Sequence, residues 1–127
     1  MKLLFDTHAF LFAISNPELL SSRARDLLSD PSNERWVSAV CIWEIAIKIQ
    51  IGKLELPSDR QYYHHHIRQL GAHPLPVELR HALAVLELPP LHKDPFDRLL
   101  VAQAREEGFT LLTRDERIGA YAVETIW

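Results

Sequence analysis

The sequence predicts an α/β domain: a mainly parallel central sheet of about five short strands, flanked by helices. Three observations carry that expectation. Short apolar runs alternate with longer stretches of helical periodicity. Gly52, Gly71 and Gly108 each stand just after such a stretch, where a helix commonly ends. The chain has 127 residues, 47% of them apolar and 24% charged, which is enough for one hydrophobic core and not for two.

Taken in order, Lys2–Phe5 reads as a buried strand ending at an acid, and His8–Ile14 as a short helix stopped by Asn16-Pro17. Ser21 or Ser22 caps a helix over Arg23–Leu28, ended by Asp30-Pro31. Trp36–Ser38 is the second strand. Ala39–Ile51 is a strong helix, because Ile42, Ile45, Ala46 and Ile49 repeat at helical spacing. Asp59–Leu70 is another helix and His73–Leu75 the third strand. Val77–Leu86 is helical with Leu79, Leu83 and Leu86 on one side, and Pro95–Glu107 is a helix closed by Gly108. Phe109–Thr113 and Ala122–Ile126 supply the remaining strands.

Composition narrows the function. No apolar run approaches the roughly 20 residues that span a bilayer, and the N-terminus lacks the apolar stretch of a signal peptide. The single cysteine, Cys41, excludes an internal disulfide and a cysteine-based zinc site; it suits a reducing cytoplasm and reads as a core residue. With 14 basic and 17 acidic residues the net charge is −3, so a nucleic-acid substrate would have to be received by a local positive rim or a metal ion. Four glycines form no phosphate-cradling loop, and no Gly-x-Ser-x-Gly supports a serine nucleophile. His64-His65-His66 sit on a helix, where neighbours point about 100° apart and cannot share one ion.

In parallel α/β sheets ligands collect beyond the carboxyl ends of the strands. That rule selects Asp6, the segment from Ser38 to Glu44, and Thr113–Asp115. Each acid also has a plain structural explanation. Asp6 can cap a helix, Glu44 can pair with Lys48 one turn on, Asp115 can be a turn residue, and Asp94 with Asp97 resembles a capping box around Pro95. Converging carboxylates raise one another's pKa, and such a cluster persists mainly when a cation neutralises it. Hard oxygen donors select Mg²⁺ or Mn²⁺ over zinc.

The runs Leu4-Phe5-Asp6-Thr7-His8, Ser38–Ile45, His92–Ala104 and Leu112-Thr113-Arg114-Asp115, in this order, resemble the PIN-domain family, and most closely its VapC-like toxins. The resemblance covers essentially the whole chain. It implies a Mg²⁺- or Mn²⁺-dependent endoribonuclease, a homodimer, restrained by a cognate antitoxin. It assigns catalytic and metal-ligating roles to Asp6, Glu44, Asp97 and Asp115, with Glu116 as a rival for the fourth position. Thr7, Ser38 and Thr113 match the small hydroxyl residues that line the family's site. Lys48, Lys93, Arg98, Arg114 and Arg117 adjoin the acids and are expected to form the rim that steers RNA; among them Lys48, Arg98 and Arg114 are the substrate-binding candidates. Two other readings compete. A haloacid-dehalogenase-like phosphatase wants an acid where His8 stands, and a non-enzymatic interaction module would use the acids only as caps and surface pairs.

Overall fold

In the computed structural model, which describes residues 1–127, the first strand is the middle of the sheet. β1 (Lys2–Phe5) buries Leu3, Leu4 and Phe5, and pairs in parallel with β2 (Glu34–Ser38) and β4 (Thr110–Leu112). β3 (Ala72–Leu75) and β5 (Thr125–Ile126) lie outside these, in the order β3-β2-β1-β4-β5. Every pairing is parallel, so the mainly parallel sheet expected from the sequence is wholly so.

A strand with both faces covered reads as an unbroken apolar run rather than an alternation. Period two still assigns the faces. Leu4 and Leu111 join the core built with α6 (Pro95–Glu107); Phe5, Val37 and Leu112 join the core built with α1 (Thr7–Ser15) and α2 (Ser22–Ser29). α3 (Ala39–Gln50) serves both, giving Val40 and Cys41 to the first core and Ile45 to the second. Cys41 is a core residue, as read from the sequence.

The helix ends follow their capping chemistry. Ser21 accepts the Ala24 amide, Ser38 the Val40 amide, and Asp59 the Gln61 amide at the head of α4 (Arg60–Gln69). Gly108 closes α6 at φ +72°, a left-handed conformation that costs a residue without Cβ little. The Asp94 carboxylate accepts both the Phe96 and Asp97 amides, at 2.9 and 3.1 Å. Asp97 does not reach back to complete a capping box, and its carboxylate is turned to His92 instead.

Three elements depart from expectation. The helix expected over Val77–Leu86 is only α5 (Leu79–Ala84) followed by a 3₁₀ turn at Val85–Glu87. Leu79, Leu83 and Leu86 face solvent, at 76%, 53% and 84% exposed, while His81 is the side chain this helix buries. The last strand shrinks to two residues, and the chain before it forms a short helix, α7 (Glu116–Gly119), headed by Asp115. Pro17–Leu19 adds one 3₁₀ turn. On α4, His66 packs edge-on against Tyr62, and the three consecutive histidines form no metal-holding group. No helix is long and apolar enough to cross a membrane.

His81 is buried because it belongs to a polar chain through the core. The Ser38 hydroxyl donates to Gln103 Oε1 at 2.5 Å, and Gln103 Nε2 donates to the Pro76 carbonyl at 3.2 Å. His81 Nδ1 accepts the Glu78 amide, so Nε2 carries the proton and meets Glu107 Oε1 at 2.9 Å. Ser38, His81 and Gln103 have no solvent exposure. Gln103→Leu keeps the volume but strands the Ser38 hydroxyl and the Pro76 carbonyl. Urea denaturation should register a loss of about 2–4 kcal/mol, the cost of unsatisfied buried polar groups.

Candidate active site

The strand order defines where a site belongs. From β1 the chain moves outward to β2 and β3; from β4 it moves the other way to β5. The carboxyl ends of β1 and β4 therefore flank a topological switch point, where the two crossovers part and leave a crevice. Asp6 follows β1 and Thr113 follows β4. The crossover helices run back along the sheet, so α1, α3 and α6 all begin at this same edge.

Asp6 is 5% exposed and caps α1: Oδ1 accepts the Ala9 amide at 2.7 Å, and Oδ2 accepts the Thr113 hydroxyl at 2.5 Å. The Thr113 hydroxyl in turn accepts the Asp115 amide at 3.0 Å. Thus the two strand ends across the switch point are tied through one carboxylate. Burial pushes the Asp6 pKa up, against the opposing pull of the Thr113 and Ala9 hydrogen bonds, and Asp115 adds repulsion.

Glu44 is also 5% exposed. Thr7 donates to its Oε1 at 2.6 Å and the Lys48 ammonium meets Oε2 at 2.6 Å. The expected pair one helical turn apart is present, but it is buried on the acid's side rather than lying on a solvated stripe. Asp97, in the first turn of α6, meets His92 Nε2 through Oδ2 at 3.2 Å. Burial, helped by repulsion from Asp94, Glu44 and Asp115, pushes its pKa up to about 6 despite that bond. Asp115 caps α7 and is held below the usual carboxylate range by Arg117, whose guanidinium meets Oδ2 at 3.0 Å.

Cys41 lies beneath these groups, and burial holds its thiol far above the usual range. The same thiol senses the negative charge of Asp6, Glu44 and Asp97. Asp115 repels both Asp6 and Asp97, and Glu44 repels Asp97, so the four acids share one field across the ends of β1, α3, α6 and β4. As they stand, no three His, Cys, Asp or Glu side chains are gathered closely enough to hold an ion. Their oxygens are turned to partners instead: Lys48 for Glu44, His92 for Asp97 and Arg117 for Asp115. The donor set fits a hard divalent ion. It is all oxygen, it carries mutual repulsion that a cation would relieve, and its one neighbouring thiol is protonated and interior.

An open cleft of about 450 Å³ leads to the switch point, lined by Asp6, His8, Arg114, Asp115, Glu116 and Arg117. Glu116 lies on this rim, exposed and outside the network of hydrogen-bonded acids. Thr7 and Thr113 orient Glu44 and Asp6 respectively. Ser38 does not line the cleft. It is wholly interior, bonded to Gln103 and Val40, and so offers no surface to a substrate.

Arg98 also departs from the expected rim. Its NH1 donates to the Pro89 carbonyl at 2.8 Å and to the Tyr121 hydroxyl at 3.0 Å, which fastens the loop before α6. Lys48 and Arg117 are paired with acids of the site. Arg114 and Lys93 remain exposed, with the Arg114 guanidinium 4.9 Å from the Phe12 ring centroid. Sequence reasoning passed over His92, Tyr121 and His8. A histidine five residues before an acid at a helix head is a faint signal, and only the tertiary contact gives it meaning.

A wholly parallel five-stranded sheet, with acids at the ends of β1 and β4 and at the heads of α3 and α6, defines an α/β protein whose polar groups collect at the switch point. The family model described as "PIN domain" matches residues 3–124, and the chain belongs to that family. It is similar to Ribonuclease VapC22 of Mycobacterium tuberculosis (strain ATCC 25618 / H37Rv), at 29% identity over 122 residues, covering 93% of this chain and 90% of that protein. In fold it is similar to a chain of the VapBC2 crystal structure from Rickettsia felis, bound to a promoter DNA fragment, with TM-score 0.73 at 14% identity, covering 100% of this chain and 99% of that one. A chain of DNA-bound VapBC from Salmonella typhimurium gives TM-score 0.71 at 13% identity, covering 99% and 97%.

Proposed function

We propose that this protein is a VapC-like endoribonuclease, the toxin of a toxin–antitoxin pair, in which Asp6, Glu44, Asp97 and Asp115 hold Mg²⁺ or Mn²⁺ at the switch point. The observation that carries this reading is the shared field of four carboxylates on a PIN-domain sheet. Two of them, Asp6 and Asp97, are pushed up in pKa by burial and by their acidic neighbours. A hard divalent ion supplies charge neutralisation there and makes water a better nucleophile at neutral pH. The chain's own residues do the rest. Thr113 and the Ala9 amide fix the plane of the Asp6 carboxylate, and Thr7 fixes Glu44. Lys48 balances the Glu44 charge, and Glu44 Oε2, which it now engages, is an oxygen that would hold the ion.

The ribonuclease assignment draws on the likeness to VapC22, and the antitoxin partner on the likeness to chains from VapBC structures. A second copy of the chain completes the proposed assembly, working in the cytoplasm, where the one thiol stays reduced. RNA reaches the acids along the open cleft. Since Arg98 is committed to Pro89 and Tyr121, the rim reduces to Arg114 with Lys93. Arg114→Gln should flatten the dependence of log K for single-stranded RNA on log salt by about 0.7, the value of one phosphate contact. Filter binding between low and moderate salt measures this; metal binding should be unaffected.

The test of the function is cleavage of a fluorogenic RNA by the purified chain with Mg²⁺ or Mn²⁺, beside a generic phosphomonoester. Metal-dependent RNA cleavage that EDTA abolishes is expected, with no turnover of the monoester. Hydrolysis of the monoester alone would favour a phosphatase, and full RNA cleavage in excess EDTA would defeat the proposal.

A further inference from the structure

One closed ring of hydrogen bonds around the start of α6 is not accounted for by capping or core packing. His92 Nε2 lies 3.2 Å from Asp97 Oδ2, His92 Nδ1 lies 2.7 Å from the Tyr121 hydroxyl, and Arg98 NH1 donates to that hydroxyl at 3.0 Å. Asp97 and Arg98 are consecutive residues, so the chain of contacts leaves one turn of helix and returns to it. Tyr121 is 3% exposed and packs its ring on the imidazole, with centroids 5.4 Å apart.

The direction of each bond is fixed by what the end members can do. An ionised carboxylate only accepts, so Nε2 must carry a proton. A guanidinium only donates, so the Tyr121 oxygen accepts from Arg98 and its own proton is free to go to Nδ1. We infer that His92 is a positioning residue for Asp97: Arg98 and Tyr121 hold its ring in place through Nδ1, and its Nε2–H fixes one oxygen of Asp97 so that the other is presented to the metal ion. Only Oδ2 is engaged, which leaves a ligand oxygen available. This arrangement is the orienting shell that metal-ligating carboxylates need. It also gives Arg98 its role, three hydrogen bonds away from Asp97 rather than on the RNA. The inference rests on the proposed metal site.

The experiment separates the two. Long-range ¹H–¹⁵N correlation spectra of the whole protein report the His92 tautomer without any metal. The wild type should show protonated Nε2, and Tyr121→Phe, which removes the partner of Nδ1 but not the Asp97 acceptor, should keep it. Mn²⁺ binding is read from the free-ion signal in electron paramagnetic resonance. His92→Leu should weaken it by about 10- to 100-fold, the usual effect of removing an orienting partner. His92→Gln, whose amide can donate from nearly the same place, should recover most of the affinity. A merely structural role would lower the melting temperature of both variants alike and leave Mn²⁺ affinity unmoved. A wild-type Nδ1–H tautomer, or Mn²⁺ affinity in His92→Leu within about two-fold of wild type, would overturn the inference while Asp97→Asn still abolished binding. If Asp97→Asn also bound Mn²⁺ normally, the metal site itself would fall and the inference with it.

Discussion

Asp6→Asn should cut RNA cleavage by about 10³-fold with the fold intact. The size follows from losing several kcal/mol of charge stabilisation at 1.36 kcal/mol per decade of rate. The fold should survive because asparagine is as good a helix cap as aspartate. Its Oδ1 can still accept the Ala9 amide, as Asp6 does at 2.7 Å. Its amide nitrogen would face the Thr113 hydroxyl, which can reverse from donor to acceptor at that contact. Only the charge is lost. Far-ultraviolet circular dichroism should overlay on the wild type while the RNA substrate stays whole. Near-normal cleavage would mean that Asp6 is a cap and nothing more.

Asp97→Asn should abolish Mn²⁺ binding and, without metal, make the protein more stable at pH 7. The sign comes from the direction of the shift. The Asp97 pKa is pushed from the ordinary 3.8 up to about 6, chiefly by burial, so the folded chain favours the protonated form. The stability associated with that preference is fully present below the unfolded pKa and is lost as pH rises through the folded one. At neutral pH the metal-free protein therefore carries the whole penalty, on the order of 2 kcal/mol. The neutral amide removes it and can still accept from His92 Nε2. Denaturation in EDTA at pH 7 should show the variant ahead, and at pH 4 the two proteins should converge. A helix-capping role predicts the reverse, but Asp94 already accepts the Asp97 amide.

The placement of the candidate site's acids was legible because they stand at marked places in the chain. An acid directly after Leu3-Leu4-Phe5 must sit at a strand mouth, and Asp115, three residues past Leu112, shares that setting. Glu44 and Asp97 fall in the first turns of helices whose starts a parallel fold brings to the same edge. What could not be read was the choice of long-range partners. Arg98 looks like a rim residue in sequence, yet its acceptors are Pro89 and Tyr121, 9 and 23 positions away. Ser38 has the right residue type for a site, but its hydroxyl answers to Gln103, 65 positions on. The spacing of Leu79, Leu83 and Leu86 suggests a buried stripe; the burial went to His81, because Glu107 and the Glu78 amide give it partners there. Helical periodicity predicts a face, and only the tertiary neighbours decide whether that face turns inward.

Together these carboxylates are proposed to hold a divalent ion. Calorimetric titration of Mn²⁺ into the wild-type protein and into Asp6→Asn, at pH 7.5, tests it without reference to any substrate. Saturable binding is expected for the wild type and its loss in the variant, although Asp6→Asn leaves Glu44, Asp97 and Asp115 untouched. Equal binding isotherms for the two proteins, or none for either, would contradict it.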